Sequence, residues 1–519
     1  MKKLILAAFV LSQTLVVFAQ KAAPENWFNL DLKKDKVPGV STERAYNELL
    51  KDKKSTPVIV AVIDGGTEVD HEDLAPVIWV NQGEIPNNNI DDDKNGYIDD
   101  VNGWNFIGGK TEDVNDDNLE LTRVYKQLSE KYNGSTAKTG AEYDEYLKVK
   151  ADFEKRKKRS QSNLALYTEL IKSVDGVIKS IGTENPTADQ LKAFTPANPM
   201  EKQVVTIATK NKIPLGAIKT QLNGAIGHFS SELNVHLNED LDSRKLVGDN
   251  YNDVTEKYYG NNHYEGPSGD HGTHVAGIIA GVRNNNKGMK GVADNVKIMV
   301  VRVVPNGDER DKDIANGIRY AVDNGAKVIN MSFGKSYSPN KTAVDEAVKY
   351  AVSKDVLLVH AAGNDGRNTD TTNNFPRDTY ANNSGTASTW MEIGASSWKK
   401  GKTVTANFSN YGVQNVDVFA PGVDIYSTTP DSKYASFNGT SMAAPVTAGV
   451  AALLRSYYPT LTATQVKEIL MQSAVKVKGK VFLPGTAKRK VKMAELCQTG
   501  AIINAYEAVK MADKMVSSK

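Results

Sequence analysis

Cysteine is almost missing from this chain: Cys497 is its only one. A single thiol cannot close an internal disulfide, so stability has to come from core packing or bound ions. No catalytic signature flanks Cys497, which reads as a residue buried beside a helix. An excess of either charge is missing as well. Lys and Arg number 64 against 62 for Asp and Glu, a net charge of +2 over 519 residues. No overall field therefore recommends nucleic acid or an anionic bilayer as a partner, and function must come from a local site. After residue 20 there is no run long and apolar enough to span a membrane.

What is present begins with MKKLILAAFVLSQTLVVFAQ, two lysines followed by a short apolar stretch and small residues placed for cleavage after Ala19. This pattern predicts a signal peptide over 1–19 and a mature chain starting near Gln20. A retained anchor fits less well, because the stretch is short and holds Ser12, Gln13 and Thr14. The expected destination is the periplasm, the cell surface or the medium.

Val-, Ile- and Leu-rich runs alternate with helical patterns. PVIVAVID from Pro57, VKIMVVRVV from Val296, AKVINMSF from Ala326 and DVLLVHAAG from Asp355 read as strands buried on both faces. Between them lie helical stretches from Thr273, Asp313 and Thr342, so an α/β domain with a mainly parallel sheet is expected. Its chemistry should gather beyond the carboxyl ends of the strands.

From about Glu112 to Arg244 the strand signals stop. This lysine- and glutamate-rich stretch predicts a helical insertion, in which Leu147, Phe153, Leu164, Leu166, Leu170, Ile171 and Val174 fit one amphipathic helix loosely and two helices or a hairpin better. Its basic run Lys155–Arg159 reads as a solvated charged face. The expected organisation is an extension at 20–56, an α/β domain at 57–111 and 245–512, the insertion at 112–244 and a tail at 513–519.

One hydroxyl stands out. FNGTSMAAPVTAGVAALL places Ser441 at the polar start of a small-residue apolar helix, where a serine usually caps the helix. The same position suits developing negative charge, which the helix dipole favours. A serine nucleophile needs a base and a carboxylate to orient that base. His271, in GPSGDHGTHVAGIIAG, also opens a small-residue helix, and Asp64 ends the VIVAVID run before two glycines.

Five segments, VAVIDGGTEVDHEDL, GDHGTHVAGIIAG, VINMSFG, HAAGNDG and FNGTSMAAPVTAGVAALL, resemble the successive signature blocks of the subtilisin-like serine peptidases, in family order. The resemblance implies the subtilisin-like three-layer α/β fold and endopeptidase chemistry on polypeptides. By position it implies Ser441 as nucleophile, His271 as general acid and base, Asp64 as the orienting carboxylate and Asn364 as oxyanion donor beside the Ser441 N–H. Ser332, Phe333 and Gly334 match the edge along which an extended substrate lies. His71 matches a structural histidine. His274 reads as packing, since its spacing from His271 is not that of a zinc-binding helix pair.

Calcium is the expected ion. Asp91, Asp93, Asn95, Gly96, Tyr97 and Asp99 fall at positions 1, 3, 5, 6, 7 and 9 of an EF-hand-like loop. Position 12 is Asn102, for which Asp100 could compensate. Asp73 matches a structural calcium position of many relatives. Three features depart from the family pattern: Gly65 follows Asp64 where relatives carry Ser or Thr, the insertion separates Asp64 from His271, and little chain precedes the first core strand. An insertion entering between two catalytic residues suggests a surface that limits substrates or docks a partner. The competing reading is a catalytically weak, calcium-stabilised scaffold of the same fold. An α/β-hydrolase is disfavoured because Gly439–Ala443 reads GTSMA rather than G-x-S-x-G.

Overall fold

The computed structural model describes residues 22–134, 139–486 and 489–518; the expected signal peptide lies outside them. The chain divides into two compact units, a helical one containing Leu121–Leu241 and a larger one made of Ala23–Glu120 and the chain from Asp242 onward.

In the larger unit, β1 (Val58–Asp64), β2 (Gly103–Asn105), β3 (Val296–Arg302), β4 (Val328–Met331), β5 (Leu357–Ala361), β6 (Trp390–Ser396) and β7 (Val418–Pro421) are followed by a hairpin, β8 (Ile425–Thr429) with β9 (Lys433–Phe437). Four short strands come next: β10 (Val475–Lys476), β11 (Lys480–Phe482), β12 (Lys490–Lys492) and β13 (Ala501–Ile502). The main sheet runs β10-β13-β7-β6-β5-β4-β1-β3-β2. Its pairs are parallel except β10 with β13.

Alternation along β1 shows why the sheet is covered on both sides. Val58, Val60 and Val62 join one apolar core, while Ala61 and Ile63 join another, because successive side chains leave opposite faces of a strand. The first core is closed by the helices Asp270–Ala280, Thr440–Tyr457, Ala463–Ser473 and Ala505–Ser517, the second by Asp311–Asp323 and Lys341–Ser353. These are the three layers that the resemblance implies.

The flanking segments are more integrated than the sequence suggests. Trp27, Phe28, Val40, Ala45 and Leu50 of the extension lie in the first core, and the Trp27 indole N–H donates to the Val423 carbonyl at 3.1 Å. Residues 513–517, expected in a tail, continue the helix Ala505–Ser517; the Tyr458 hydroxyl donates to Asp513 at 2.7 Å. At the insertion's ends, residues 112–120 and 242–244 pack within the larger unit. The Val114 N–H donates to the Ile107 carbonyl at 3.0 Å, and Arg244 pairs with Asp313 at 2.6 Å, both carboxylate and guanidinium being buried.

Within the helical unit, the expected pair of helices is one helix of 41 residues, Ala141–Ile181. Its buried positions are Tyr146, Val149, Phe153, Ser160, Tyr167, Leu170, Val174 and Val177. Their steps of three, four or seven form a heptad stripe. Tyrosines and a serine carry much of that stripe, while Leu147 is exposed, so a reading by aliphatic residues alone loses the period. Ser160 is tolerated there because its hydroxyl donates to buried Glu232. Arg156 pairs with the same carboxylate at 2.6 Å and Lys157 with Glu239 at 3.3 Å. Part of the basic run is thus spent inside its own unit.

Candidate active site

Asp64 ends β1, Ser332 follows β4, and Asn364 lies just beyond β5, so three adjacent strands of the sheet deliver their next residues to one edge. His271 and Ser441 are each the second residue of a helix, Asp270–Ala280 and Thr440–Tyr457. A cavity of about 550 Å³ is lined by Asp64, His271, Ser332, Phe333, Gly334, Asn364 and Ser441 among others. All seven residues singled out for catalysis and substrate binding therefore meet in one cleft.

Two glycines permit the approach of His271 to Asp64. Gly66 turns the chain at φ +120°, and a Cβ there would stand 1.9 Å from the Glu265 carbonyl oxygen. At Gly272 a Cβ would stand 2.1 Å from the Gly66 oxygen. With both absent, His271 Nδ1 donates to Asp64 Oδ1 at 2.7 Å. Burial favours the neutral imidazole, but the attraction and hydrogen bond of Asp64 outweigh it, and the His271 pKa is raised above its ordinary value. Asp64 Oδ1 also accepts the Gly65 N–H at 2.7 Å. Asp64 Oδ2 is buried without a hydrogen bond, where a hydroxyl at position 65 is absent.

The Ser441 helix is not serine-capped. Its N-cap is Gly439, with no side-chain cap. Pro445 lies deeper than a helix-start proline and deprives the Ser441 carbonyl, four residues back, of its helical donor. The Ser332 hydroxyl replaces that donor, bonding the Ser441 carbonyl at 2.8 Å. In return the Ser441 hydroxyl donates to the Ser332 carbonyl at 3.1 Å.

Thr440 went unnoticed in the sequence although it adjoins Ser441. Its N–H and hydroxyl both donate to Asn364 Oδ1, at 2.9 and 3.1 Å. With the amide oxygen so engaged, Nδ2 is the Asn364 atom left to donate toward the cavity. Arg302 also lines the cleft. Its guanidinium, almost wholly buried, donates to the Gly65 carbonyl at 2.9 Å and to Asn105 at 3.0 Å, and burial lowers its pKa to about 10. Asn115, expected within the insertion, is another cleft residue and accepts the Ser268 hydroxyl at 2.8 Å.

His274 and His71 are held by backbone partners. His274 Nε2 donates to the Ile425 and Ala435 carbonyls at 3.0 and 3.1 Å, and its ring stacks on Phe437; burial is the main cause of its low pKa, about 3. His71 accepts the Asp73 N–H at 3.0 Å and donates to the Lys433 carbonyl at 3.1 Å.

Side chains of the acidic loop bond nearby backbone N–H groups. Asp91 accepts the N–H groups of Asn95 and Gly96 at 3.0 and 2.9 Å. Asp99 accepts those of Asn88 and Asn89 at 3.2 and 2.8 Å, and the Tyr97 ring packs against Trp104, Phe106 and Tyr320. Asn95 Oδ1 accepts the Tyr97 N–H at 2.8 Å. The carboxylate oxygens that converge, all within 4.8 Å of one another, belong to Glu84, Asp93 and Asp100. Burial raises the Asp100 pKa to about 6. Asp73 is separate: its Oδ1 accepts the Asn285 amide, while its Oδ2 is buried without a hydrogen bond, and burial raises its pKa.

Residues 55–495 match the profile of the Subtilase family, Peptidase_S8. The chain belongs to this family. Thermitase from Thermoactinomyces vulgaris is 43% identical over 210 residues, 40% of this chain and 68% of thermitase. A thermophilic serine proteinase from Bacillus sp. (strain AK1) is 42% identical over 211 residues, 40% of this chain. The aligned part is only 48% of that proteinase's length. Among solved structures, a protease from Pseudoalteromonas arctica PAMC 21717 is similar at 33% identity and a TM-score of 0.39, covering 47% of this chain and 70% of that one. The subtilase relatives support a serine peptidase. Among the described residues, no helix is long and apolar enough to cross a membrane.

Proposed function

We propose that this subtilase is an exported serine endopeptidase that cleaves polypeptides through an acyl-enzyme. The observation that carries the reading is the 2.7 Å pair of His271 and Asp64 in the cleft that also holds Ser441 and Asn364. Ser441 Oγ bonds to the scissile carbonyl carbon as its proton passes to His271 Nε2. Asp64 stabilises the resulting imidazolium. The carbonyl oxygen, now an anion, is held by Asn364 Nδ2 and the Ser441 N–H at the positive end of the helix. The C–N bond then breaks, His271 returns the proton to the leaving amine, and a water repeats the sequence to release the acyl group. The substrate backbone lies extended along Ser332–Gly334.

Labelling of Ser441 by a fluorophosphonate, abolished in Ser441→Ala, tests this directly. The scaffold reading draws on one observation, the Ser441 hydroxyl turned to the Ser332 carbonyl; it requires that wild-type protein resist the label. Export predicts a mature N-terminus at or near Gln20, read by terminal sequencing.

Structural calcium is part of the proposal. The buried, unbonded Asp73 Oδ2 and the convergence of Glu84, Asp93 and Asp100 both suit a hard, oxygen-seeking cation. Such an ion would stabilise the fold and take no part in the reaction. The insertion, read from its place in the sequence, screens substrates or docks a partner. Excising Leu121–Leu241 from a still-folded enzyme is then expected to broaden cleavage of folded proteins.

A further inference from the structure

Below the cleft, a buried group of polar side chains plays no part in the chemistry above. Asn374 lines the cavity with Phe333, Gly334, Ala361 and Gly363. Its Nδ2 donates to the Ala361 carbonyl at 3.0 Å and to Glu392 Oε1 at 3.4 Å. Glu392 is itself fixed from beneath. Its Oε2 accepts His360 Nδ1 at 2.9 Å and the Trp390 indole N–H at 3.0 Å. The Ala361 carbonyl and the Glu392 oxygen both accept from Nδ2, so the Asn374 nitrogen is drawn down and its oxygen turned up.

That oxygen meets two glycines. A Cβ at Gly334 would stand 2.5 Å from Asn374 Oδ1, and one at Gly363 would stand 3.6 Å from it. Neither residue has one, so Oδ1 faces the gap between the Ser332–Gly334 edge and the Ala361–Gly363 wall. A substrate lying on that edge, with its carbonyl at Ser441, sends the side chain of the attacked residue (P1) into this gap.

Resting on the peptidase reading, we infer that Glu392 is a positioning residue that holds the Asn374 oxygen toward the P1 side chain, so that the cleft selects a P1 residue ending in a hydrogen-bond donor, such as lysine or glutamine. A donor there completes the acceptor. An apolar side chain of equal length leaves it desolvated and unbonded, the situation that makes polar pockets selective.

The test uses the full-length protein and peptide coumarin amides that differ only in P1: Lys, Gln, Met and Glu. The expected kcat/KM for Lys and Gln exceeds that for Met by about tenfold. In Glu392→Gln the new amide N–H₂ opposes Asn374 Nδ2, so that the Ala361 carbonyl alone of these two partners still holds the Asn374 amide in place. The Lys:Met ratio then falls, by less than the roughly tenfold that loss of the acceptor gives, and fluorophosphonate labelling of Ser441 persists. Asn374→Leu removes the acceptor and levels the ratio even if Glu392→Gln does not fold. Met cleaved as well as Lys and Gln by a protein whose Ser441 takes the label overturns the inference and leaves the peptidase reading standing. So does a Lys:Met ratio unmoved in both variants. Wild-type protein that neither labels nor cleaves overturns both.

Discussion

The strand ends that carry Asp64, Ser332 and Asn364 and the loop from Asn81 to Asp100 are both crowded with polar side chains, but they are held in opposite ways. At the strand ends the partners come from far along the chain: Asp64 meets His271, Ser332 meets Ser441, and Asn364 meets Thr440. The pairings of Asp64 and Asn364 engage one end of the His271 ring and of the Asn364 amide and leave the other end of each to the cleft. In the loop most of the carboxylates bond their own neighbourhood, Asp91 to Asn95 and Gly96, Asp99 to Asn88 and Asn89, and Glu84 to Asp93 and Asp99, although Asp100 also accepts the distant Tyr320 hydroxyl at 2.6 Å. Long-range anchoring leaves groups available for reaction, whereas local anchoring shapes a loop and brings charge together.

The contrast breaks most sharply at Ser441 and His271, the proposed nucleophile and base. Ser441→Ala and His271→Ala are expected to lower kcat on the order of 10⁶-fold, the size of loss known for this family, with folding unchanged by circular dichroism. Asp64→Asn should cost on the order of 10⁴. It should also move the acid limb of kcat/KM downward. His271 acts as a base only when neutral, and its raised pKa places the wild-type limb above about 6.5; without the Asp64 charge that support is lost. Asn364→Ala removes one of the two proposed oxyanion donors and should cost roughly 10² to 10³ in kcat, leaving measurable turnover. Equal residual rates in Ser441→Ala and Asn364→Ala would contradict the separate roles.

The smallest effect belongs to the loop. A chelator is expected to lower the thermal midpoint by several degrees, as loss of a bound ion worth about 2 to 3 kcal/mol would, without changing Ser441 labelling in protein that remains folded. Glu84→Gln should shrink that shift. A midpoint indifferent to chelation counts against structural calcium.

Sequence reading reached the anchored region more fully than the loop, for a physical reason. A strand buried on both faces must be apolar throughout, so β1, β3 and β5 announce themselves, and a polar residue just past such a run is conspicuous. Asp64 is legible in that way, whereas Asn364 is marked by the resemblance of HAAGNDG to a family block. The orientation of Asn364 is not legible, because Thr440 approaches from a helix 76 positions away. In the loop, spacing suggests alternating ligands, and Asx-type bonds to nearby N–H groups engage several of the same side chains. Glu84 enters the cluster from outside the repeat that drew attention. The heptad stripe of Ala141–Ile181 was hidden differently, by tyrosines and Ser160 standing where leucines would be sought.

The exchange between Ser332 and Ser441 has a consequence for the idle enzyme. Each hydroxyl donates to the other's carbonyl, so two side chains and two peptide units close a ring across the cleft. Disengaging the Ser441 half requires a turn about one side-chain bond, while the Ser332 half stays closed and the helix keeps its place. Pro445, by denying the helix its own internal bond, makes that division of labour necessary. The latch can open without the frame moving.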